Sequence, residues 1–446
     1  MSNTNHIFIP GKITYLIDAS SGSSAKGKIT SFLIKNQTMK PFLCTSNSRN
    51  ASHVVMDGNK KIVFKVLPSG AYLTNKITDI YIGPGATFKV EDLLEEMELC
   101  KLDRSRIKIH PTISIIQEID ERYERGECGF DGEDSIHDGT IKTGTTASGA
   151  GSARARKVMR RPSALYAKDV PELQDMICDT TTEIIERLNK GECGFHDICQ
   201  GFQLSLSHPL MAPYTTARNV TVSAALDDML LPPNVVGNVI INCRTYPIRI
   251  HSKKYISKVE AIDYVKKDDN GMVLIPTKYQ DKRLYDVVND ENNGAFVSSV
   301  GGVHLTWDEK ESKQIPFDII ESYSGPFYDD QEEITWEELT EKSGSETPLF
   351  ECTTLTKLPR RVFTFSPKNL EEAILYNNTG HRTFVTVTFA DYVDIDMKDQ
   401  NEVITNKFMK WMNKFVMPSI EQNNQISLLC VSTGPQTDAT VMFPNE

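Results

Sequence analysis

The residues best suited to chemistry stand near the start of the chain, in "YLIDASSGSSAKGKITSFLIK" (15–35). Gly22, Gly27 and Lys28 carry the spacing G-x-x-x-x-G-K of a phosphate-binding loop. A strand before the glycine turn and a helix after it would aim backbone N–H groups at an anion. Lys26 and Lys28 add positive charge. In ordinary nucleotide triphosphatases the next residue is a magnesium-binding Ser or Thr, and here it is Ile29. The loop alone leaves three readings open: a damaged triphosphatase loop, a chance match, or a different phosphate loop.

Four further stretches offer polar groups. "SNSRNASHVV" supplies Asn50 and His53, although a lone histidine is more often structural. "GTTASGAGSARARKVMRR" (144–161) supplies the hydroxyls of Thr145 and Thr146 and the forked donors of Arg160 and Arg161. "ECTTLTKLPRRVFTFS" (351–366) places threonines before a basic cluster, which suits a carboxylate or phosphate. "VSTGPQTDATV" (431–441) is by itself only a turn after a buried strand. The pentapeptide "GECGF" occurs at 126–130 and 191–195, the second time close to His196 and Cys199. No second ligand pair has zinc spacing, so the repeat reads as chance similarity of two loops.

These groups need a frame. Strand-like runs are "KITYLID" (12–18), "KIVFKVL" (61–67), "DIYIG" (79–83), "NVVGNVIINC" (234–243), "RTFVTVTF" (382–389) and "ISLLCVS" (426–432). Helical patterns cover "KITSFLIK" (28–35), 90–100, 170–189 and 401–416. Their alternation predicts an α/β fold: a large, mainly parallel central sheet flanked by helices. The chain reads as a single domain over 1–446. Residues 124–152 look like a loop, and about 262–320 like an inserted subdomain, from their polar composition and turn signals.

Composition narrows the function. Hydrophobic residues are 39% and charged residues 24%, ordinary for a globular chain. A net charge of -11 argues against a nucleic-acid polymer as partner, because phosphate neutralisation needs clustered cations. No apolar run reaches the roughly 18 residues of a membrane span, and no signal peptide is evident. The nine scattered cysteines read as reduced thiols in a cytoplasm.

Together and in order, the motifs resemble the adenylosuccinate synthetase family, over nearly the whole chain. Its G-D-E-G-K-G-K loop stands here as "GSSAKGK", its N-A-G-H segment as "NASH", and its G-T-T loop as "GTTASGAG". Its A-Q-G segment corresponds to "CQGFQLSL", and its S-T-G-P is unchanged at 432–435. The segments "RTYPIRI" (244–250), "YDDQEEITWEEL" (328–339) and "TTLTKLPRRVFTFS" (353–366) are similar to the bacteriophage branch, the 2-aminoadenylosuccinate synthetases. The resemblance answers the loop question: it implies the family's own phosphate loop, on a core like that of the P-loop triphosphatases.

The resemblance implies a ligase that phosphorylates a purine 6-oxygen and then lets aspartate's amine attack C6. It assigns His53 as general acid, with Ser23 and Lys26 beside it. Ser24, Ala25, Lys26, Gly27, Lys28, Asp391, Ser432, Gly434 and Pro435 would border the triphosphate. The nucleoside monophosphate would be held by Ser23, Asn50, Thr145, Thr146, Gln200, Leu204 and Thr216, with Arg160 reaching across a homodimer. Thr354, Thr356 and Arg360 would bind L-aspartate, and Mg2+ would sit near Ser23 and Ser52. Ser23 replaces the family's catalytic Asp, as in the phage branch. A serine is a poor base near neutral pH, which argues against IMP. It leaves room for a 2-amino group, so dGMP is the expected acceptor. Leu358 fits deoxyribose. Phe389 replaces the lysine of the guanine-reading T-K-x-D segment, so ATP or dATP is the expected donor, while Asp391 leaves GTP open. The alternatives are an adenylosuccinate synthetase acting on IMP with GTP, and a nucleotide-binding homologue without catalysis. The phage resemblance further implies a phage-encoded enzyme working in a host cytoplasm.

Overall fold

The computed structural model describes residues 5–133, 146–250, 324–352, 360–379 and 381–443, with six short strands between 253 and 322. A nine-stranded sheet runs through it. Its strands in chain order are β1 (Ile13–Asp18), β2 (Phe42–Thr45), β3 (Ile80–Ile82), β4 (Ile107–Ile109) and β5 (Gly194–Gly201). Then follow β6 (Val236–Arg244), β7 (Thr383–Thr388), β8 (Ile426–Ser432) and β9 (Thr440–Met442). The spatial order is β9-β8-β7-β6-β1-β5-β2-β3-β4. Every neighbouring pair is parallel except β8 with the edge strand β9.

A parallel sheet covered on both faces needs strands that are apolar on both sides. In β1, Tyr15 and Ile17 enter one core, with Val239, Ile241, Val385 and Val387 of the neighbouring strands. Leu16 enters the opposite core, with Ile240, Phe384 and helix α1 (Lys26–Lys35) through Ile29 and Leu33. The strand order changes direction around β1, so the loop leaving β1 emerges at the crevice where α/β sheets hold ligands.

Several expectations need correction. The run 61–67 belongs to a separate hairpin, Lys60–Phe64 pairing antiparallel with His53–Asp57, not to the main sheet. The helix expected over 170–189 is two pieces: a 3-10 stretch Pro171–Met176 and an α-helix Thr180–Asn189. Asp179 restarts it, its carboxylate accepting from Thr182 N at 3.1 Å. The second "GECGF" is not a loop, because it runs into the buried central strand β5. The segment 262–320 lies mostly outside the described residues. Strands Lys253–Ser257 and Asp318–Ser322 on either side of it pair antiparallel.

Candidate active site

The glycine turn bends back after β1 because Asp18 organises it. Asp18 Oδ1 accepts from Ser20 N at 2.8 Å and Ser20 Oγ at 2.9 Å. Ser23 and Ala25 then adopt left-handed backbone, with φ of 54° and 57°. Each costs about 1 kcal/mol as a non-glycine residue there. The sheet behind holds them in place. Ser23 O accepts from Arg244 Nη1 at 2.8 Å. Ser24 O accepts from Asn242 Nδ2 at 2.7 Å and Thr388 Oγ1 at 2.9 Å. Across a trans peptide the next N–H points the other way, so the Ser24 and Ala25 N–H groups are turned away from the sheet. With Lys26 and Gly27 they form the uncapped start of α1, which has no side-chain cap.

The two lysines brace the site. Lys26 Nζ donates to the carbonyls of Ile198 and Gln200, the latter at 2.5 Å. Lys28 Nζ donates to Ser432 Oγ, Gly434 O and Ala439 O at 2.7, 2.6 and 2.5 Å. The Ser432–Pro435 turn is thus tied to the loop. Burial lowers Lys28 to about 8. Asp391, charge-coupled to Lys28, is pushed up to about 6, chiefly by burial.

His53 opens the hairpin packed on α1. A Cβ built on Gly27 would lie 3.0 Å from both Ser69 Oγ and Val54 O, so glycine there lets the hairpin approach. His53 Nδ1 lies 3.1 Å from Asp197 Oδ2 and 3.0 Å from Ser69 Oγ. Ser69 Oγ donates to the same carboxylate oxygen at 2.7 Å. Burial alone would raise Asp197, but His53, Lys26 and Ser69 bring it well below the usual carboxylate range. An ionised Asp197 fixes the proton on His53 Nδ1, leaving Nε2 as the nitrogen that can work on a substrate. The sequence reading missed Asp197 and Ser69. Their only signals were "GFHDIC", set aside as a chance repeat, and "LPSG".

Three of the residues assigned to the monophosphate meet. Gln200 Nε2 donates to Asn50 Oδ1 at 2.6 Å and Thr216 Oγ1 at 2.7 Å, and Asn50 Nδ2 to Thr216 Oγ1 at 3.1 Å. Leu204 joins through its carbonyl, which accepts from Thr216 N at 2.8 Å. Gly201 must be glycine, since a Cβ there would lie 2.0 Å from Ser20 O. Thr146 is exposed, ahead of helix Ala150–Val158. The first N–H groups of that helix, at Gly149, Gly151 and Ser152, donate to the Glu124 carboxylate at 2.8, 2.9 and 3.0 Å. That helix start is therefore not itself an open phosphate cradle. Arg160 is exposed, and its guanidinium has no partner among the described residues.

Arg360 precedes strand Arg361–Phe363, its Nε 3.2 Å from Cys352 O. Thr145, Thr354, Thr356 and Leu358 lie outside the described residues. Ser52 is exposed, and no group of three or more His, Cys, Asp or Glu suited to a metal occurs among the described residues. Buried oxygens without a hydrogen-bond partner do occur at the loop: Asp18 Oδ2 and Ser24 Oγ. A hard cation takes oxygen donors, so they fit Mg2+ better than Ser52 does.

The family model for adenylosuccinate synthetase matches residues 16–170. The N6-succino-2-amino-2'-deoxyadenylate synthase of Vibrio phage phiVC8 is 26% identical over 371 residues, 81% of this chain and 82% of that protein. The same-named protein of Cyanophage S-2L is 26% identical over 387 residues, 84% of this chain and 82% of its own. The adenylosuccinate synthetase of Pyrococcus horikoshii is 31% identical over 231 residues, 51% of this chain and 64% of that protein. The solved Cyanophage S-2L succinoaminodeoxyadenylate synthetase, bound to dGMP and to dATP as an energy donor, has a TM-score of 0.66. It is 25% identical in sequence, and the match covers 97% of this chain and 96% of that one. The fold is also that of the Plasmodium falciparum adenylosuccinate synthetase, with a TM-score of 0.65 at 14% identity, covering 97% and 100%. No helix among the described residues is long and apolar enough to cross a membrane. The chain is thus similar to the adenylosuccinate synthetase family, in sequence through its first 170 residues and in fold over nearly its whole length.

Proposed function

We propose that this protein joins L-aspartate to C6 of dGMP, using ATP or dATP, and releases 2-amino-N6-succinyl-deoxyadenylate, nucleoside diphosphate and phosphate. The observation that carries the reading is a loop built as a phosphate cradle, with Ser23 where the family's base stands, beside an intact His53–Asp197 pair. The Cyanophage S-2L structure with dGMP and dATP supports the same pair of nucleotides.

The 6-oxo group of guanine is amide-like and resists displacement. Transfer of the γ-phosphoryl group onto O6 makes it a leaving group, the N1 proton being lost. The amine of aspartate then forms the C6–N bond and phosphate departs with O6. Charge grows on the transferring group, so positioned N–H donors and cations lower the barrier. The loop N–H groups and α1 receive the triphosphate, and His53 Nε2 donates toward O6. Gln200, Asn50, Thr216 and Leu204 seat the acceptor, with Thr145 and Thr146 at its 5′-phosphate. Arg360, Thr354 and Thr356 take the aspartate carboxylates, for which a forked cation suits better than a point charge. Asp391 and the Ser432–Pro435 turn border the donor base. Mg2+, when bound, neutralises phosphate charge; Asp18 and Ser24 are the residues to hold it. Arg160, exposed and without a partner among the described residues, suits a residue lent to a second subunit in a homodimer. The segment 262–320 is read as an inserted subdomain.

The test is a matrix of dGMP, GMP and IMP against ATP, dATP and GTP, with aspartate and magnesium, the succinylated product being read by mass. Product from dGMP with ATP or dATP is expected. Turnover confined to IMP with GTP would replace this reading, and nucleotide binding without any product would favour a non-catalytic homologue.

A further inference from the structure

Arg244 lies where three parts of the proposed site meet, and none of the roles above uses it. It is the last residue of β6 and is 0% exposed. A guanidinium carried into the interior must have its donors answered. Nη1 donates to Ser23 O at 2.8 Å, and Nε to Tyr246 O at 2.6 Å. Nη2 pairs with Glu351 Oε1, while Nη1 lies 3.3 Å from Oε2 of the same carboxylate. Its flat face covers Phe389, with Cζ 3.7 Å from the ring centroid. Tyr392 OH closes the cluster by donating to Glu351 Oε1 at 2.9 Å. From Glu351 the connection continues to Arg360, whose N donates to Glu351 O at 2.9 Å.

The contacts lead to two ligands, the triphosphate and the amino acid. Ser23 O fixes the turn whose following N–H groups face the triphosphate. Phe389 stands beside Asp391 at the donor base. Glu351 anchors the backbone of Arg360 at the amino acid. We infer that Arg244 is a positioning residue shared by these subsites, one fork and one stacked face holding the loop, the donor-base floor and the aspartate cation in register. The inference rests on the ligase reading above. Lysine cannot replace it, because a point charge neither forks nor stacks.

Arg244→Lys is therefore the informative variant. It is expected to raise KM for the triphosphate and for aspartate by about tenfold each, the equivalent of one charge-assisted hydrogen bond, with a change below about threefold for dGMP. Glu351→Gln should reproduce the aspartate effect alone. The double variant should be no worse than Arg244→Lys for aspartate, because the fork to Glu351 is already broken. Phe389→Leu removes the stacked ring without touching the fork, and should raise only the triphosphate KM; it keeps the test open if Arg244→Lys does not fold. Thermal-shift titration with adenylyl imidodiphosphate reads the triphosphate arm without turnover. A wild-type chain that binds this analogue but makes no product would refute the ligase reading. A turnover-competent wild type with an unchanged Arg244→Lys, or one raising all three KM values equally, would overturn the role of Arg244.

Discussion

At the scale of residues, the proposed chemistry rests on a histidine whose tautomer is set from behind. His53 Nδ1 faces the ionised Asp197 at 3.1 Å, so losing either group should spare the fold and cost rate. His53→Ala is expected to lower kcat by about 10²–10⁴-fold with an unchanged circular dichroism spectrum, the usual range for a general acid. Asp197→Asn should fall between that variant and wild type. Ser23→Asp restores a carboxylate at the acceptor, and initial rates should shift from dGMP toward IMP. The proposed donor subsite should have its own pH window. Asp391, raised to about 6, is ionised above that pH, and Lys28, lowered to about 8, is charged below it. KM for the triphosphate should therefore be lowest between about 6 and 8 and rise on both sides. Asp391→Asn should lose its part of the acid limb, leaving only the donor's own γ-phosphate titration. These residues were legible to unequal degrees. Lys28 stands in a motif with fixed spacing, whereas His53 and the Ser432–Pro435 turn are read only through the family resemblance. Asp197 and Ser69 are read by neither route, because what makes them a site is the packing of β5 and the 68–70 turn against a distant hairpin.

At the scale of elements, the loop is a strained segment held by strand ends. Asn242, Arg244 and Thr388, from β6 and β7, all bind its carbonyls, so the N–H face is set before any ligand arrives. Asn242→Ala should thus weaken triphosphate binding more than it lowers the melting temperature, as paired titration and calorimetry would show. Helix Val90–Cys100 carries a separate electrostatic cost. Its Glu96 accepts from Lys65 N at 2.6 Å and Leu67 N at 2.8 Å, yet burial pushes it from 4.5 to about 7. The folded state holds that proton more tightly than the unfolded one, so its stabilising effect is full below about 4.5 and lost as pH rises through about 7. Glu96→Gln should flatten that part of the urea-midpoint-versus-pH curve. Strands β1, β3, β6, β7 and β8 were readable from their β-branched and apolar runs, whereas β2, β4 and β9 are too short to show a pattern. Strand β5 was not readable, since His196, Asp197 and Gln200 interrupt its pattern for reasons of the site. The helix over 170–189 was read too long, because its apolar spacing continues across a break that Asp179 imposes.

At the scale of the whole molecule, the sheet places its switch of strand order at β1, and the site follows from that placement. What the fold leaves open is Arg160, exposed at the end of helix Ala150–Val158 beside Val158 and Met159, themselves 72% and 54% exposed. If Arg160 serves the partner's site, mixed dimers of His53→Ala and Arg160→Ala subunits contain one complete site. Activity should then return on mixing and subunit exchange, whereas a cis role would leave the mixture as inactive as its parents. No spacing in the sequence could have located that partner, because a neighbouring subunit leaves no periodic trace in the chain.

The central claim is that O6 of a 2-aminated purine is phosphorylated before the amine arrives. Turnover of dGMP labelled with 18O at the 6-position, with aspartate and ATP, tests it directly by the mass of the released phosphate. One 18O per phosphate is predicted; succinylated product accompanied by unlabelled phosphate would contradict it.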